Sequence, residues 1–170
     1  MRRINSKRLL NRQNHRRQAN GYLITELSAA IGLLFIGFFF PLLDLINIGF
    51  IYGSGFTLNN LQARQCAVVT KSEANDPAGI IMWGIPQQWK ATGLGRFVKL
   101  QGDPQTSVSY TNGQTESSGV QDKNVVISTT IIASPFLTIP FAPGVPGLNA
   151  PMTFQFFSQC VLENPNDANS

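Results

Sequence analysis

Gly21, Tyr22 and Glu26 have residue types and a spacing that could support two linked events, a peptide-bond cleavage and an ion pair. They stand between an arginine-rich leader and a long apolar run. Cleavage after Gly21 would give Tyr22 a free α-amine, with Glu26 about one helical turn away. Glycine suits such a cleavage site because it has no Cβ to obstruct a protease or to hold helical geometry.

Glu26 lies at the start of the apolar run, where a plain membrane anchor needs no acid. A carboxylate at the centre of a bilayer costs roughly 2.5–3.5 kcal/mol, and less near the interface, so an intramembrane acid indicates a function and a partner. The α-amine of Tyr22 is the nearest partner, in the same chain or in a neighbouring subunit shifted along the helix axis. Since a charge pair in a low dielectric tolerates few geometries, pairing between chains would set the register of a helical stack.

The chain has a formal net charge of +4, but its positive charge is concentrated in the leader. Residues 1–21 carry seven basic residues and no acid, whereas the rest carries six basic and nine acidic residues, so that +7 and −3 give the total. A domain that binds nucleic acid is therefore not indicated. Because Lys and Arg beside an apolar run stay in the cytoplasm, we expect the leader to be cytoplasmic and residues from about 50 onward to lie outside the inner membrane.

Residues 22–43 form an apolar run that only Thr25, Glu26 and Ser28 interrupt. As a helix, the run would span about 33 Å at ~1.5 Å per residue, enough for one membrane crossing. A secretory signal peptide would have a shorter apolar core followed by a small-residue cleavage site, so we expect this helix to stay in the mature protein. Pro41 should kink the helix near its far end.

The whole chain predicts an α+β fold, in which a long N-terminal transmembrane and stalk helix precedes a small antiparallel β-containing domain. Apolar residues at near-helical spacing predict a helical stalk extension over residues 44–74; they are Leu45, Ile48, Ile51, Tyr52, Leu58 and Leu61. Residues 75–162 are rich in turn formers and predict a β-rich extracytoplasmic domain with Asn112-Gly113 as one turn. Its predicted strands are Arg96–Leu100, Ser107–Thr111, Asn124–Ala133 and Met152–Val161. Residues 163–170 predict a frayed tail.

Three further features each allow two interpretations. Cys66 and Cys160 could form a disulfide, which an extracytoplasmic location permits, or stay unlinked as small buried residues. Asp44 marks the membrane edge, or it pairs with a lysine of a partner helix. Trp83 and Trp89 pack the soluble domain, or they anchor at the membrane interface as tryptophan belts do.

The segment from Gly21 to Pro41 resembles the start of a type IV prepilin or pseudopilin, and it is most similar to the TadE-like minor pseudopilins of tight-adherence (Flp-type) secretion systems. The residues that carry the likeness are Thr25-Glu26-Leu27-Ser28, the apolar run to Phe40, the segment from Pro41 to Gly49, and Ala63-Arg64. Leu27 stands where these pseudopilins commonly have Phe or Tyr, and Tyr22 where type IV pilins often have Phe or Met. The resemblance implies cleavage after Gly21 by a prepilin peptidase, an aspartic protease of the inner membrane. It also implies a role in assembling a pilus or secretion apparatus.

We therefore expect a minor pseudopilin-like structural subunit in the bacterial inner membrane, with one membrane crossing and a cytoplasmic N-terminus. Its expected partners are the prepilin peptidase, other pilin or pseudopilin subunits, and the membrane itself. Two alternatives are a pilin of another type IV system and an uncleaved signal-anchored envelope protein that binds a partner. The single histidine, His15, lies in the leader, and there is no phosphate-binding loop, so we expect no enzyme activity, cofactor or metal site.

Overall fold

The computed structural model describes Tyr22 and residues 24–115, 121–139 and 143–163. Gly21, the remainder of the basic leader and tail residues 164–170 lie outside the described residues. The chain divides into two units, Met1–Leu42 and Leu43–Ser170.

Helix α1 extends over 43 residues, from Ile24 to Cys66. Its most apolar stretch has a mean hydropathy of 2.3 and is only 6% buried within the protein, so α1 has the length and composition for one membrane crossing. The helix widens into a π-helical turn at Phe35–Phe39, where the Phe40 N–H donates to the Phe35 carbonyl. Pro41 comes next in the chain. Proline has no N–H to donate and its ring crowds the preceding turn, so the wider π-helical turn suits it. The bend expected at Pro41 stays a prediction.

Short helices follow α1 in the second unit. The continuous stalk helix ends at Cys66, and α2, Lys71–Ala74, begins after Thr70, whose side chain forms a capping box with Glu73. A π-helical turn at Ile80–Gly84 then leads into α3, Ile85–Ala91, which is followed by α4, Gly93–Phe97.

The predicted strand over Arg96–Leu100 is wrong. Arg96 and Phe97 close α4, and Leu100 pairs with Ala133 only through an isolated bridge. The Thr92 side chain accepts the Gly95 N–H and caps α4. The first backbone N–H groups of a helix have no partner within the helix, and the Thr92 cap satisfies one of them. The cap therefore favours a helical turn in a segment whose β-forming residues indicated a strand.

The other three predicted strands are confirmed, and each lies in one antiparallel sheet of order β1-β2-β3. The strands are β1, Gln105–Thr115, β2, Gln121–Ala133, and β3, Met152–Val161. The turn predicted at Asn112-Gly113 is wrong, because both residues lie inside β1, where the pairing with β2 shifts register between Asn112 and Thr115. A Gly beside an Asn can mark such a bulge as well as a turn. The fold of the described residues is therefore α+β, with a small three-stranded sheet after a long apolar helix.

The sheet packs against the C-terminal part of α1. Two core clusters fill this interface, one around Ile51, Leu58 and Phe156, and the other around Cys66, Ile81 and Ile127. Six of the ten buried residues of α1 are polar or glycine; the ten are Asp44, Asn47, Ile51, Ser54, Gly55, Leu58, Asn59, Gln62, Ala63 and Cys66. The interface therefore depends on hydrogen bonds as well as on apolar burial.

Gly55 and Gly53 provide a matched test of this packing. A Cβ at Gly55 would lie 2.6 Å from Phe156 Cζ and 2.9 Å from Ile131 Cδ1, whereas a Cβ at Gly53 would meet nothing within 4 Å. We expect Gly55→Ala to lower the free energy of unfolding by roughly 1–3 kcal/mol through overpacking. Gly53→Ala should raise it by up to about 1 kcal/mol, because alanine favours the helix. Denaturant titration of the full chain in detergent, followed by Trp89 fluorescence, measures both; equal stabilities would contradict the packing of α1 on β2 and β3.

Candidate functional site

The predicted processing and assembly site lies at the start of α1. Tyr22 is helical and exposed, and Glu26 is exposed one turn further along. Gly21, the other half of the predicted cleavage site, lies outside the described residues. Within the part of the chain that the structure describes, the single ion pair joins Lys90 to Asp103, so Glu26 forms none there. A carboxylate on an apolar helix is stabilised by a cation. When the helix supplies none, a cation from a partner chain would stabilise it most.

Exposed apolar side chains follow Glu26 along α1. Ile24, Leu27, Leu33 and Leu34 are all exposed, and the Ser28 hydroxyl donates to the Ile24 carbonyl at 2.8 Å instead of presenting a free polar group. A helix that is hydrophobic all round requires lipid or other helices to cover it. Glu26 is thus the one acid among the described residues of an otherwise apolar surface that extends to Phe40.

A buried polar network joins α1 to the sheet. Asn59 donates through Nδ2 to the Thr129 hydroxyl at 2.9 Å, and the Thr129 hydroxyl donates to Gln62 Oε1 at 2.7 Å. Gln62 donates through Nε2 to the Ile81 carbonyl and to the Thr106 hydroxyl, both at 2.8 Å. Asn59, Gln62 and Thr129 are fully buried. The network therefore fixes the position of α1 against β1, β2 and the π-helical turn at once.

The outward face of the same helix segment is mostly apolar. Its exposed apolar side chains are Leu45, Ile46, Phe50, Tyr52, Phe56 and Leu61, and Thr57 and Arg64 are exposed with them. A helix at the surface of a soluble domain usually turns its apolar face inward and its polar face outward. In the C-terminal part of α1 the buried face is instead mixed, with Ile51 and Leu58 beside Asn59 and Gln62, and large apolar side chains remain exposed on the other face.

Asp44 has a role that neither interpretation of the sequence included. Its carboxyl group is fully buried, and Oδ1 accepts the Leu137 N–H at 2.9 Å. Among the described residues Oδ2 has no hydrogen-bond partner. Asp44 thus ties the loop after β2 to α1 directly after the apolar run, so that the folded domain begins where that run ends.

The two tryptophans have different surroundings. Trp89 is buried in the core with Ile51 and Val98, which confirms the packing interpretation for this residue. Trp83 is exposed in the π-helical turn at Ile80–Gly84 and does not belong to this core, so the packing interpretation is not confirmed for it.

The two cysteines lie in one core cluster, although they are far apart in the sequence. Cys66 ends α1 and is fully buried, with its Sγ 3.9 Å from Tyr110 Oη. Cys160, half-buried on β3, is paired with Val125, which is paired in turn with Tyr110. The two thiols are not bonded in the structure, and the predicted disulfide stays a prediction. Burial raises the pKa of the Cys66 thiol, and burial also raises the pKa of Tyr110 beside it.

Comparisons with known proteins give no relative for this chain. No family model matches the sequence, and neither the curated proteins nor the solved structures provide a match.

Sequence reasoning found Glu26 and Tyr22 but missed Asn59, Gln62 and Thr129. A signal was present on the helix. Asn59, Gln62 and Cys66 are spaced by three and four residues, which places them on one face of a helix, next to Leu58. Polar residues at helical spacing within an apolar segment could have indicated a face that requires hydrogen-bonding partners.

The two thiols should differ in reactivity. With reductant present at about pH 8, we expect iodoacetamide to modify Cys160 before Cys66, because the thiolate is the reactive form and burial both shields Cys66 and raises its pKa. Peptide mass spectrometry measures the two rates, and denaturant should make them equal. Faster labelling of Cys66 would contradict its placement. Omitting the reductant tests the disulfide, since equal labelling with and without reductant would exclude it.

Proposed function

We propose that this chain is a minor pseudopilin-like structural subunit that helps to assemble a tight-adherence type pilus or secretion apparatus. The bacterial inner membrane holds it through α1, with the leader in the cytoplasm and the sheet domain on the other side. A prepilin peptidase removes the leader after Gly21. The prepilin-like segment from Gly21 to Pro41 supports the processing step, and the form of α1 supports the assembly step.

The observation that carries this proposal is the outward apolar surface of α1. It covers the membrane-spanning stretch and persists along the segment that packs on the sheet, where Phe50, Tyr52, Phe56 and Leu61 remain exposed. Contiguous exposed apolar surface marks a site of interaction with lipid or protein. A subunit that leaves lipid to join an assembly requires such a surface on its helix, because neighbouring helices must replace the lipid. The sheet domain leaves this surface free because it binds the opposite face of the helix, where Ile51 and Leu58 lie beside Asn59 and Gln62.

Glu26 supplies the polar contact in this scheme. The α-amine that cleavage creates at Tyr22 is about one turn from Glu26, and the same amine of a neighbouring chain can reach it after an axial shift. Each chain then contributes one cation and one anion, so the pairs form only in registers that bring them together. Other registers leave an unpaired carboxylate in an apolar environment, which is costly.

Processing of the leader separates this proposal from a signal-anchored protein. We expect the membrane-bound chain to begin at Tyr22 in cells that contain a prepilin peptidase, and to keep residues 1–21 in cells that lack it. Gly21→Leu should block cleavage because its side chain obstructs the protease. Gly32→Ala, at an open position on α1, is the matched control and should be cleaved normally. N-terminal sequencing reads the result, and an intact leader in both strains would refute the proposal.

Charge removal at Glu26 tests the register step. We expect Glu26→Gln to reduce incorporation into the assembled fraction by about tenfold, equivalent to roughly 1.4 kcal/mol, because glutamine cannot form the ion pair. Leader cleavage and membrane content should not change. Asp76→Asn, which removes an exposed acid of the outer domain, is the control. Cross-linked complexes and sheared surface filaments are quantified separately, since abundance in filaments would favour a pilin over an assembly subunit. Unchanged incorporation of Glu26→Gln would exclude the register role.

A further inference from the structure

Three phenylalanines form a continuous exposed surface on the second unit. The ring centroids of Phe50 and Phe97 are 5.4 Å apart, and those of Phe97 and Phe136 are 6.1 Å apart with nearly parallel rings. Their exposed fractions are 52%, 47% and 40%. We call these three residues the aromatic surface. So large an apolar group on a folded domain indicates a binding partner.

The aromatic surface lies near Asp44, the second residue of the second unit. Asp44 accepts the N–H of Leu137, which adjoins Phe136 in the chain, so Phe136 lies close to the level of Asp44. Phe50 is only about 9 Å further along α1, at ~1.5 Å per residue. The headgroup layer outside the hydrocarbon core is roughly 5–8 Å thick on each side of a bilayer. If hydrocarbon covers α1 up to residue 43, Phe136 therefore lies beside the headgroup layer, and Phe50 lies at its outer edge.

Two cations accompany the phenyl rings. Lys99 Nζ donates to the Phe136 carbonyl at 2.8 Å and lies 5.2 Å from the centre of the Phe136 ring. Arg96 adjoins Phe97, and both cations are exposed. Neither forms an ion pair within the described part of the chain, where the single pair is Lys90–Asp103. Outside the leader the chain has a net charge of −3, so two unpaired cations at this end oppose the overall balance and complement anionic phosphates.

The apolar surface also continues from the aromatic surface onto the outward face of α1. Ile46 and Leu94 are exposed beside Phe50, and together with Phe50 they line an open cavity of about 350 Å³. Leu45 extends the exposed apolar surface back to the end of the run. No polar linker separates the run from the domain, because Asp44 is already part of the fold.

We propose that the aromatic surface, with Arg96 and Lys99, rests on the phospholipid surface of the membrane that α1 crosses. The phenyl rings insert among the headgroups, and the two cations bind lipid phosphates. This inference depends on the membrane crossing in the proposed function, but not on leader cleavage or on assembly. The contact holds the outer domain against the membrane while the subunit resides there.

Quenching of fluorescence by brominated lipid tests the contact in the full chain. The chain is reconstituted into vesicles of phosphatidylcholine and phosphatidylglycerol, with or without bromine on the acyl chains near the headgroup. We expect the double variant Trp83→Phe/Phe97→Trp to lose more emission to brominated lipid than Trp83→Phe alone. Trp89 is buried and contributes equally to both.

The wild-type chain is the control for position along the domain. Its exposed Trp83 lies in the π-helical turn whose Ile81 carbonyl binds Gln62, about 27 Å further along α1 than Asp44. Brominated lipid should therefore leave the emission of Trp83 unchanged. Quenching of the indoles at positions 83 and 97 to the same extent would contradict the proposed orientation.

Charge removal separates binding to phosphate from apolar contact alone. We expect Arg96→Gln/Lys99→Gln, added to the indole variant, to reduce the quenching. Arg64→Gln/Lys71→Gln removes the same amount of charge toward the other end of the domain and should leave the quenching unchanged. Equal quenching in both charge variants would overturn the assignment of Arg96 and Lys99 to phosphate.

The wild-type chain also provides a test without substitution at the aromatic surface. Amide hydrogen exchange of residues 93–100 should be slower in anionic vesicles than in neutral ones, and exchange of residues 105–115 should be the same in both. Flotation of the vesicles shows whether the chain is embedded. If the chain floats with the vesicles but shows neither quenching at position 97 nor slower exchange, the lipid contact is refuted and the membrane crossing is not. Failure to float would refute the membrane crossing in the proposed function and the lipid contact with it.

Discussion

The amides of Asn59 and Gln62 are the constraint on which the remaining structure depends. They lie fully buried on α1, and leaving a buried amide without partners costs about 1–3 kcal/mol for each group. Thr106 and Thr129, which pair across β1 and β2, and the Ile81 carbonyl accept hydrogen bonds from their NH2 groups. Among the described residues only the Asn59 Oδ1 atom has no partner in these two amides. Because each hydrogen bond requires a particular distance and direction, the network allows only one placement of the sheet along and around the helix. Purely apolar packing would tolerate small shifts more easily.

This arrangement determines which surface α1 has left for other molecules. The sheet binds the face that contains polar residues and glycine, including Gly55, where a side chain would collide with Phe156. The opposite face retains Phe50, Tyr52 and Phe56 and stays exposed. The same helix can therefore expose many large apolar side chains along its length and still support a folded domain. In the proposed function this is the property that allows exchange of lipid for neighbouring helices.

The long helix and three strands could be predicted, because they depend on patterns local in the sequence. An uninterrupted apolar run requires a helix in a membrane, and alternating β-branched residues suit strands. The errors have local causes that compete with those patterns. Thr92 caps a helical turn where the residues of Arg96–Leu100 indicated a strand. Asn112-Gly113 lies at a shift of register inside β1 and forms no turn between strands. The contacts of Asp44 with Leu137 and of Cys66 with Tyr110 could not be predicted, since each joins residues separated by a long stretch of chain.

By itself, the sequence determined the α+β class, the apolar helix and the position of Glu26 beside the basic leader, because charge, hydropathy and residue spacing are properties of adjacent residues. Only the tertiary structure decided which face of α1 is buried. Apolar spacing alone would favour burial of Tyr52 and Leu61, yet the sheet instead covers Asn59 and Gln62, since its threonines and the Ile81 carbonyl accept hydrogen bonds from their side-chain NH2 groups. The tertiary structure likewise gathered Phe50, Phe97 and Phe136 into one surface next to Asp44, because long-range contacts determine which distant residues share a surface.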